Sequence, residues 1–305
     1  MEKFRDILVD NINKANVVFY GVPYDGNASI SKGTSKAPDK IRELSYWLPP
    51  YSMLGEPMDH VKIYDLGDYK GNNFEDLFLE AEKVINLNKF KFICGGDHSI
   101  SIPFQKAFID KCHKDNKEPV IVHIDAHCDI CDSYLGNKYS HACTVKRALD
   151  NGLKQENLFM LGIREFEKDG YDILIKNKND VHLFLANEIL NINKGLHRFF
   201  EEIQAKYDNN HRIYISFDID GLDASYVPGT GTPETCGLTP TLVKRILLAL
   251  AEFSNVEVID LVEIAPPLDI NDITSWCGIK LLYEFLGKHM KYAKSLMQKI
   301  IDFKY

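Results

Sequence analysis

The fold of this chain is decided by stretches such as PVIVHIDAHCD, residues 119–129, in which a short apolar run ends in carboxylates and histidine. Three more stretches have the same form: FICGGDHS (92–99), IYISFDID (213–220) and VIDLVEIAPP (258–267). Short apolar runs rich in β-branched residues are typical of buried strands. The sequence therefore predicts that the chemically active side chains lie where strands end.

Longer segments with apolar residues three to four positions apart separate these runs, a spacing typical of helices. Strands that alternate with helices indicate successive βα units and a mostly parallel sheet in an α/β fold. We expect strands near residues 16–21, 61–65, 90–94, 119–124, 157–162, 181–184, 212–217 and 256–262. Helices are expected near 36–47, 74–87, 100–112, 142–151, 187–206, 239–253 and 277–300.

Length, composition and charge bound the function. A chain of 305 residues with 45% hydrophobic content is expected to form one domain, residues 1–305, with a large core. The net charge is −8 and no basic stripe could neutralise phosphates, so nucleic acid is not an expected partner. The charged start Met-Glu-Lys-Phe-Arg-Asp and the lack of a long apolar run lead us to expect a cytoplasmic protein with no membrane partner.

The seven cysteines are scattered and odd in number, so we expect thiols rather than a disulfide framework. Cys128 and Cys131 form a Cys-x-x-Cys pair between carboxylates, but no second pair completes a zinc ribbon. We expect both to fill space beside the candidate metal ligands. A redox-sensitive pair is the alternative.

Three long loops, residues 22–35, 125–141 and 218–238, follow the carboxyl ends of predicted strands. Ligands bind beyond this edge in parallel sheets, and long loops in compact domains are usually functional. These loops are the predicted walls of a cleft.

A candidate metal site is formed by six side chains near that edge: His98, Asp125, His127, Asp129, Asp218 and Asp220. In an extended backbone, Asp125, His127 and Asp129 would point to one side. Carboxylates and imidazoles without thiolate suit divalent ions such as Mn²⁺, and two such ions would cancel four negative charges. Two ions can also lower the pKa of a shared water, and Asp129 could accept a hydrogen bond from the resulting hydroxide. A structural acidic cluster and a single ion are the alternatives.

Taken together, the motifs resemble the signatures of the ureohydrolase family of arginases and agmatinases. The resemblance extends from about Gly21 to Leu268 and is carried by GGDHS (95–99), DAHCD (125–129), SFDID (216–220) and PGTGTPE (228–234). PGTGTPE, Tyr139-Ser140-His141 and VEIAPP (262–267) are more similar to agmatinase than to arginase.

The resemblance implies an arginase-like three-layer α/β/α fold, a homo-oligomer (trimer or hexamer), two Mn²⁺ per chain and hydrolysis of a guanidino group to urea and an amine. It implies that one metal is held by His98, Asp125, Asp129 and Asp218, and the other by Asp125, His127, Asp218 and Asp220. Glu263 matches the acid that binds the guanidinium, which a carboxylate can hold in bidentate fashion. His141 matches the proton shuttle of the family, since imidazole can protonate a leaving amine near neutral pH.

Departures from the family pattern bear on the substrate. Arginases carry an asparagine at the position of Cys131, where it helps to hold an α-carboxylate, so arginine is not the expected substrate. We expect agmatine, hydrolysed to putrescine and urea, with Asp132, Glu165 or Glu167 near its cationic tail. Another guanidino compound such as guanidinobutyrate is the rival substrate, and Arg164 is the candidate partner for its carboxylate.

Several single features are consistent with more than one role. His123 is expected to be a core histidine or a support for a metal ligand. The glycine-rich segment 229–233 is expected to be a turn that shapes the cleft, because it lacks the Gly-Lys-Ser/Thr of a phosphate loop. A metal-binding protein that has lost catalysis is the alternative from another class, although all six ligands, Glu263 and His141 are present. A zinc deacetylase of related fold would need fewer carboxylates.

Overall fold

The computed structural model describes residues 3–71, 73–176 and 180–302, so residues 1–2 and 303–305 of the expected domain lie outside the described residues. The strands of this part are β1 (Val17–Gly21), β2 (Ile63–Asp68), β3 (Phe90–Cys94), β4 (Glu118–Ile124), β5 (Leu158–Ile163), β6 (His182–Leu185), β7 (His211–Asp218) and β8 (Val256–Val262). The α-helices are α1 (Ala37–Trp47), α2 (Asp76–Ile85), α3 (Ser101–Lys114), α4 (Thr144–Asp150), α5 (Lys168–Gly170), α6 (Ala186–Ile189), α7 (His197–Gln204), α8 (Pro240–Leu250) and α9 (Ile273–Asp302). Among the described helices, none combines the length and apolar character needed to cross a membrane.

All eight strands are parallel and form one sheet in the order β2-β1-β3-β8-β7-β4-β5-β6. Every predicted strand is thereby confirmed. The central strands β3, β8, β7 and β4 are in register along the row Cys94, Leu261, Phe217 and Ile124. The residues that follow this row therefore reach the same edge of the sheet.

Helices cover both faces of the sheet. In β4, Val120, Val122 and Ile124 belong to one hydrophobic core and Ile121 to another, as expected for strand residues that face alternate sides. The first core includes residues of α1, α7, α8 and α9, and the second includes residues of α2, α3 and α4. This arrangement confirms the expected three-layer α/β/α fold.

Two local predictions are wrong. The helix expected over 187–206 is divided, because α6 ends at Ile189 and a π-helical segment at Ile192–Leu196 precedes α7. Asn191 and Gly195 in this region are poor helix formers. The continuous extended backbone expected for residues 125–129 is also interrupted: β4 ends at Ile124, His127 forms only an isolated parallel bridge with Glu165, and Asp129 has a φ of +46°. A loop rather than a continuous strand therefore carries the carboxylates.

Candidate active site

The side chains that follow the four central strands meet at the carboxyl edge of the sheet. The loop after β3 turns sharply at Gly96, where a Cβ would lie 1.6 Å from the backbone oxygen of Tyr24. Asp97 then accepts a hydrogen bond of 3.0 Å from the backbone N–H of Ser99 and caps the short helix that begins at His98. These features fix the backbone that presents His98.

Two groups of ligand atoms lie at this edge, and together they contain all six predicted metal ligands. Nδ1 of His98 lies 3.0 Å from an oxygen of Asp125, 3.1 Å from one of Asp129 and 3.2 Å from one of Asp218. Nδ1 of His127 lies 3.4 Å from the other oxygen of Asp125 and 3.2 Å from Asp220. Asp125 therefore joins the two groups.

The hydrogen bonding around His98 fits a cation ligand. Nδ1 of His98 and Oδ2 of Asp125 are buried without a hydrogen-bond partner among the described residues, because their contact lacks hydrogen-bond geometry. Nε2 of His98 lies 2.9 Å from Oγ of Ser216, whose hydroxyl donates to Asp260. This network assigns the proton of His98 to Nε2 and the lone pair to Nδ1. The donor set thus suits divalent cations.

Asp260 is a functional residue that the sequence reasoning missed. Its buried carboxylate accepts hydrogen bonds from the hydroxyls of Ser101 (2.6 Å) and Tyr214 (2.7 Å) and from the N–H of Phe217 (3.0 Å). An aspartate inside the apolar run of β8 was the available signal, since a buried carboxylate requires partners. Through Ser216 it holds the ring of His98.

The electrostatics of the cluster favour bound cations. Burial and the charges of Asp220 and Asp125 raise the pKa of Asp218 well above its usual range. Burial disfavours the charged form of His98, but without a cation the three carboxylates around Nδ1 outweigh this effect and raise its pKa, so that a proton takes the place that a cation would occupy. Divalent ions would relieve this repulsion among buried carboxylates.

His123 supports the cluster, in agreement with the expectation. The fully buried ring stacks on His98 with centroids 5.2 Å apart, and its Nε2 lies 3.1 Å from Asp125. It therefore packs against two of the candidate ligands.

Glu263 and His141 form a second unit beside the metal cluster. Oε1 of Glu263 accepts a hydrogen bond of 2.8 Å from the backbone N–H of His98 and lies 3.0 Å from Nδ1 of His141. Burial opposes protonation of His141, but Glu263 outweighs it and raises the pKa to about 9. The other ring nitrogen of His141, Nε2, lies 2.8 Å from the hydroxyl of Ser29. No motif indicated this contact between distant loops.

Two of the site residues have an unusual backbone. Glu263 has a φ of +62° and Asp129 a φ of +46°. Aspartate tolerates this left-handed region better than glutamate, whose presence there indicates local strain of the kind found at functional sites. The turn at Glu263 directs the chain away from β8 directly after its last residue, Val262.

A cleft of about 380 Å³ opens above these units and is lined by residues of all three predicted loops. Besides Glu263, three glutamates outside the set of metal ligands, Glu165, Glu167 and Glu234, are among the described lining residues, which include no lysine or arginine. Gly231 and Thr232 also line it, in agreement with the turn expected for 229–233.

The Cys-x-x-Cys pair lies in the wall of this cleft. Burial raises the pKa of Cys128 to about 11 and that of Cys131 to about 12, so both are protonated at neutral pH. All seven cysteines are free thiols, as expected.

Two substrate-binding expectations require correction. Asp132 does not line the cleft: its exposed carboxylate pairs with Arg147 at 2.7 Å. Arg164 is not available to a substrate carboxylate, because its guanidinium donates to backbone carbonyls of Gly162, Asp220, Gly221, Leu222, Glu234 and Thr235. It instead ties the two ends of the loop 218–238 to the end of β5.

The fold and site define a class of protein: a parallel α/β/α protein with a candidate carboxylate–histidine centre for divalent cations. Comparisons with known proteins specify the family. The profile of the arginase family matches residues 15–287. The chain is 32% identical to guanidinobutyrase of Pseudomonas aeruginosa (90% of this chain, 86% of the relative) and 32% identical to agmatinase of Bacillus anthracis (90% and 92%). The structure of agmatine ureohydrolase of Thermoplasma volcanium is similar, with a TM-score of 0.83, 32% identity and coverage of 97% and 96%.

The chain belongs to the arginase family, as its motifs predicted. It is an agmatinase-like ureohydrolase, a hydrolase that acts on the C–N bonds of linear amidines, in a metal-dependent family whose substrates are small guanidino compounds.

Proposed function

We propose that this ureohydrolase converts agmatine to putrescine and urea, in the cytoplasm and as a step of polyamine biosynthesis. The observation that carries this choice is the charge of the cleft, whose described lining combines Glu165, Glu167 and Glu234 with no lysine or arginine. Agmatine is a cation at both ends, with a guanidinium and an ammonium. Carboxylates attract both groups, and the negative field of such a cleft concentrates a cationic substrate.

Two Mn²⁺ ions would be held by the six clustered ligands. His98, Asp125, Asp129 and Asp218 would hold one, and Asp125, His127, Asp218 and Asp220 the other. When bound, the ions would supply Lewis acidity and lower the pKa of a water molecule. The position of Asp125, with one oxygen near each histidine, supports its assignment as a shared ligand.

Glu263 binds the guanidinium of the substrate in this proposal. Its Oε1 is already in contact with His98 and His141, whereas Oε2 lies 3.8 Å from the point that a Cβ on Gly231 would occupy. Because Gly231 has no side chain, space remains beside Oε2 for a planar N–H donor. The main hydrogen bond to the guanidinium is therefore assigned to Oε2.

His141 is the proton donor for the leaving amine. With a pKa of about 9, its imidazole is charged at neutral pH and can give a proton to the nitrogen as the C–N bond breaks. Asp129 accepts a hydrogen bond from the attacking water and so orients it toward the guanidino carbon.

Guanidinobutyrate is the second candidate, favoured by the similarity to a guanidinobutyrase. Its tail is a carboxylate and needs a cationic partner. Arg164 is bonded to backbone carbonyls, and Glu165 and Glu167 would repel the tail. The cleft therefore favours agmatine.

The first test is urea release from agmatine, guanidinobutyrate, arginine and free guanidine after chelation and reconstitution with Mn²⁺. We expect metal-dependent urea, with the highest kcat/KM for agmatine. A preference for guanidinobutyrate would overturn the substrate assignment. Two bound ions without urea from any compound would indicate a metal-binding protein without this activity.

The recognition of the tail is tested by Glu167→Gln and Glu165→Gln. Loss of a carboxylate should raise KM for agmatine several-fold in at least one variant and leave turnover of free guanidine unchanged. Asp132→Asn is the matched control, because Asp132 carries the same charge outside the cleft. An equal rise in KM in Asp132→Asn would mean that the net charge of the protein, rather than a carboxylate in the cleft, determines KM for agmatine.

A further inference from the structure

Ser29, in the loop after β1, contacts the imidazole of His141 through two groups. Its Oγ lies 2.8 Å from Nε2, and its backbone N–H donates a hydrogen bond of 3.3 Å to the same nitrogen, a contact that favours the unprotonated Nε2 left after proton transfer. Nδ1 on the other side of the ring is 3.0 Å from Glu263. Both ring nitrogens therefore have a partner.

The hydroxyl of Ser29 suits a nitrogen that gains and loses a proton. A hydroxyl can accept a hydrogen bond from a protonated Nε2 and donate one to an unprotonated Nε2. Ser29 also lines the cleft, whereas the Oε1 of Glu263 that faces His141 is occupied by the N–H of His98. The route from Nε2 to the cleft therefore leads through Oγ of Ser29.

The surroundings of Ser29 keep this contact in place. Two residues earlier, the N–H of Asn27 donates to Asp97 at 2.9 Å, and the carbonyl of Asn27 accepts a hydrogen bond of 3.4 Å from the N–H of His141. The charged groups that face His141 are carboxylates: Glu263, Asp129 and Asp97. They stabilise the imidazolium, and the neutral Ser29 provides its exit for a proton.

We propose that Ser29 relays the proton from His141 to the leaving amine, an inference that rests on the proposed hydrolysis of a guanidino compound. As the C–N bond breaks, its electron pair stays on the amine nitrogen. That nitrogen takes the hydroxyl proton of Ser29, and Oγ takes the proton from Nε2. Ser29 thereby regains its hydroxyl proton, and the imidazole of His141 becomes neutral.

The test compares Ser29→Ala, Ser29→Thr and the control Ser133→Ala, an exposed serine in another cleft loop that does not line the cleft. In Ser29→Ala, kcat should fall about tenfold or more with little change in KM or metal content, because one transition-state hydrogen bond is lost. Ser29→Thr, which keeps the hydroxyl, should recover most of kcat, and Ser133→Ala should match the wild type. A kcat within twofold of the wild type in Ser29→Ala would overturn the relay.

A double-mutant cycle separates a relay from a general structural effect. In a His141→Asn background, Ser29→Ala should cause no further loss, because the relay has no donor. An additive loss would overturn the proposal.

A second readout does not depend on activity. In the full chain loaded with diamagnetic Mg²⁺, the ¹⁵N signal of His141 Nε2 should shift in Ser29→Ala and not in Ser133→Ala. An unchanged signal would refute the contact itself. Absence of urea from the wild type, with this shift present, would contradict the proposed function rather than the contact.

Discussion

At the scale of single residues, Asp218 is the carboxylate that the proposal assigns to both metal positions. One of its oxygens lies 3.2 Å from Nδ1 of His98, and the other accepts a hydrogen bond of 2.9 Å from the backbone N–H of Asp220. His141 lies outside the ligand set and contacts Glu263 and Ser29 instead. The two residues should therefore have separable roles in metal binding and in proton transfer.

Asp218→Ala should remove both metals, whereas His141→Ala should retain both and lower kcat by about 10²–10⁴, the range for loss of a general acid. The measurement is metal content per chain by mass spectrometry alongside urea release. Retained activity in Asp218→Ala, or metal loss in His141→Ala, would contradict these roles.

From the sequence, the set of residues that gather at the site was more predictable than the contacts that each of them makes. His98, Asp125, His127, Asp129, Asp218 and Asp220 were identifiable because each follows an apolar run that forms a central strand. The environment of Arg164 could not be identified from the sequence, since its carbonyl partners come from segments up to 71 residues away. Asp132 was misjudged for the same reason, because its partner Arg147 lies in a helix whose orientation depends on tertiary packing.

At the scale of elements, the strands were predictable because parallel strands buried on both faces appear as continuous apolar runs. The turns were not predictable. Asp129 and Glu263 adopt positive φ, which no sequence pattern requires of an aspartate or a glutamate. The division between α6 and α7 likewise follows from local packing as much as from Asn191 and Gly195.

The helix that follows the first cleft loop is fixed to the sheet by a buried ion pair. Arg42 of α1 donates to both oxygens of Asp65 in β2, at 2.8 and 3.0 Å. Both side chains are almost fully buried, and Lys3 also pairs with Asp65. Burial opposes ionisation of Asp65, but Arg42 and Lys3 outweigh it and lower its pKa.

Asp65→Asn should lower the free energy of unfolding at pH 7 by about 1.5–3 kcal/mol, because Arg42 loses its bidentate partner and keeps the contact of 2.7 Å with Asp68. The folded-state pKa of Asp65 is below its unfolded value near 4, so its stabilisation is present above pH 4 and is lost as pH falls through the folded-state pKa. Urea unfolding at pH 7 and at pH 3 should show the difference from wild type shrinking at the lower pH.

The matched control is Asp10→Asn, which removes an exposed pair with Lys14 and should leave the free energy of unfolding almost unchanged, because water screens the pair. A constant difference between Asp65→Asn and wild type at both pH values would mean that lost packing, rather than lost charge, explains the destabilisation.

At the scale of the whole molecule, the candidate metal centre connects loops that follow the strands in the middle of the sheet. Its ligands follow β3, β4 and β7, which lie near one another in the order β3-β8-β7-β4 although they are far apart in sequence. In the unfolded chain these ligands are dispersed, so two cations would bind the native state far more strongly. Metal binding should therefore stabilise the entire fold.

Removal of the metal by chelation should consequently lower Tm, and Mn²⁺ should restore it. A free ion concentration 100 times Kd stabilises by about 2.7 kcal/mol per site, or about 4 °C for a chain of this length. The measurement is a thermal unfolding series with increasing Mn²⁺ for wild type and Asp218→Ala. Only the wild type should respond, because the variant lacks the carboxylate that the proposal assigns to both metal positions. An equal rise in Tm in both proteins would place the stabilising ions away from this centre, and no rise in the wild type would argue against metal binding at the junction of the central strands.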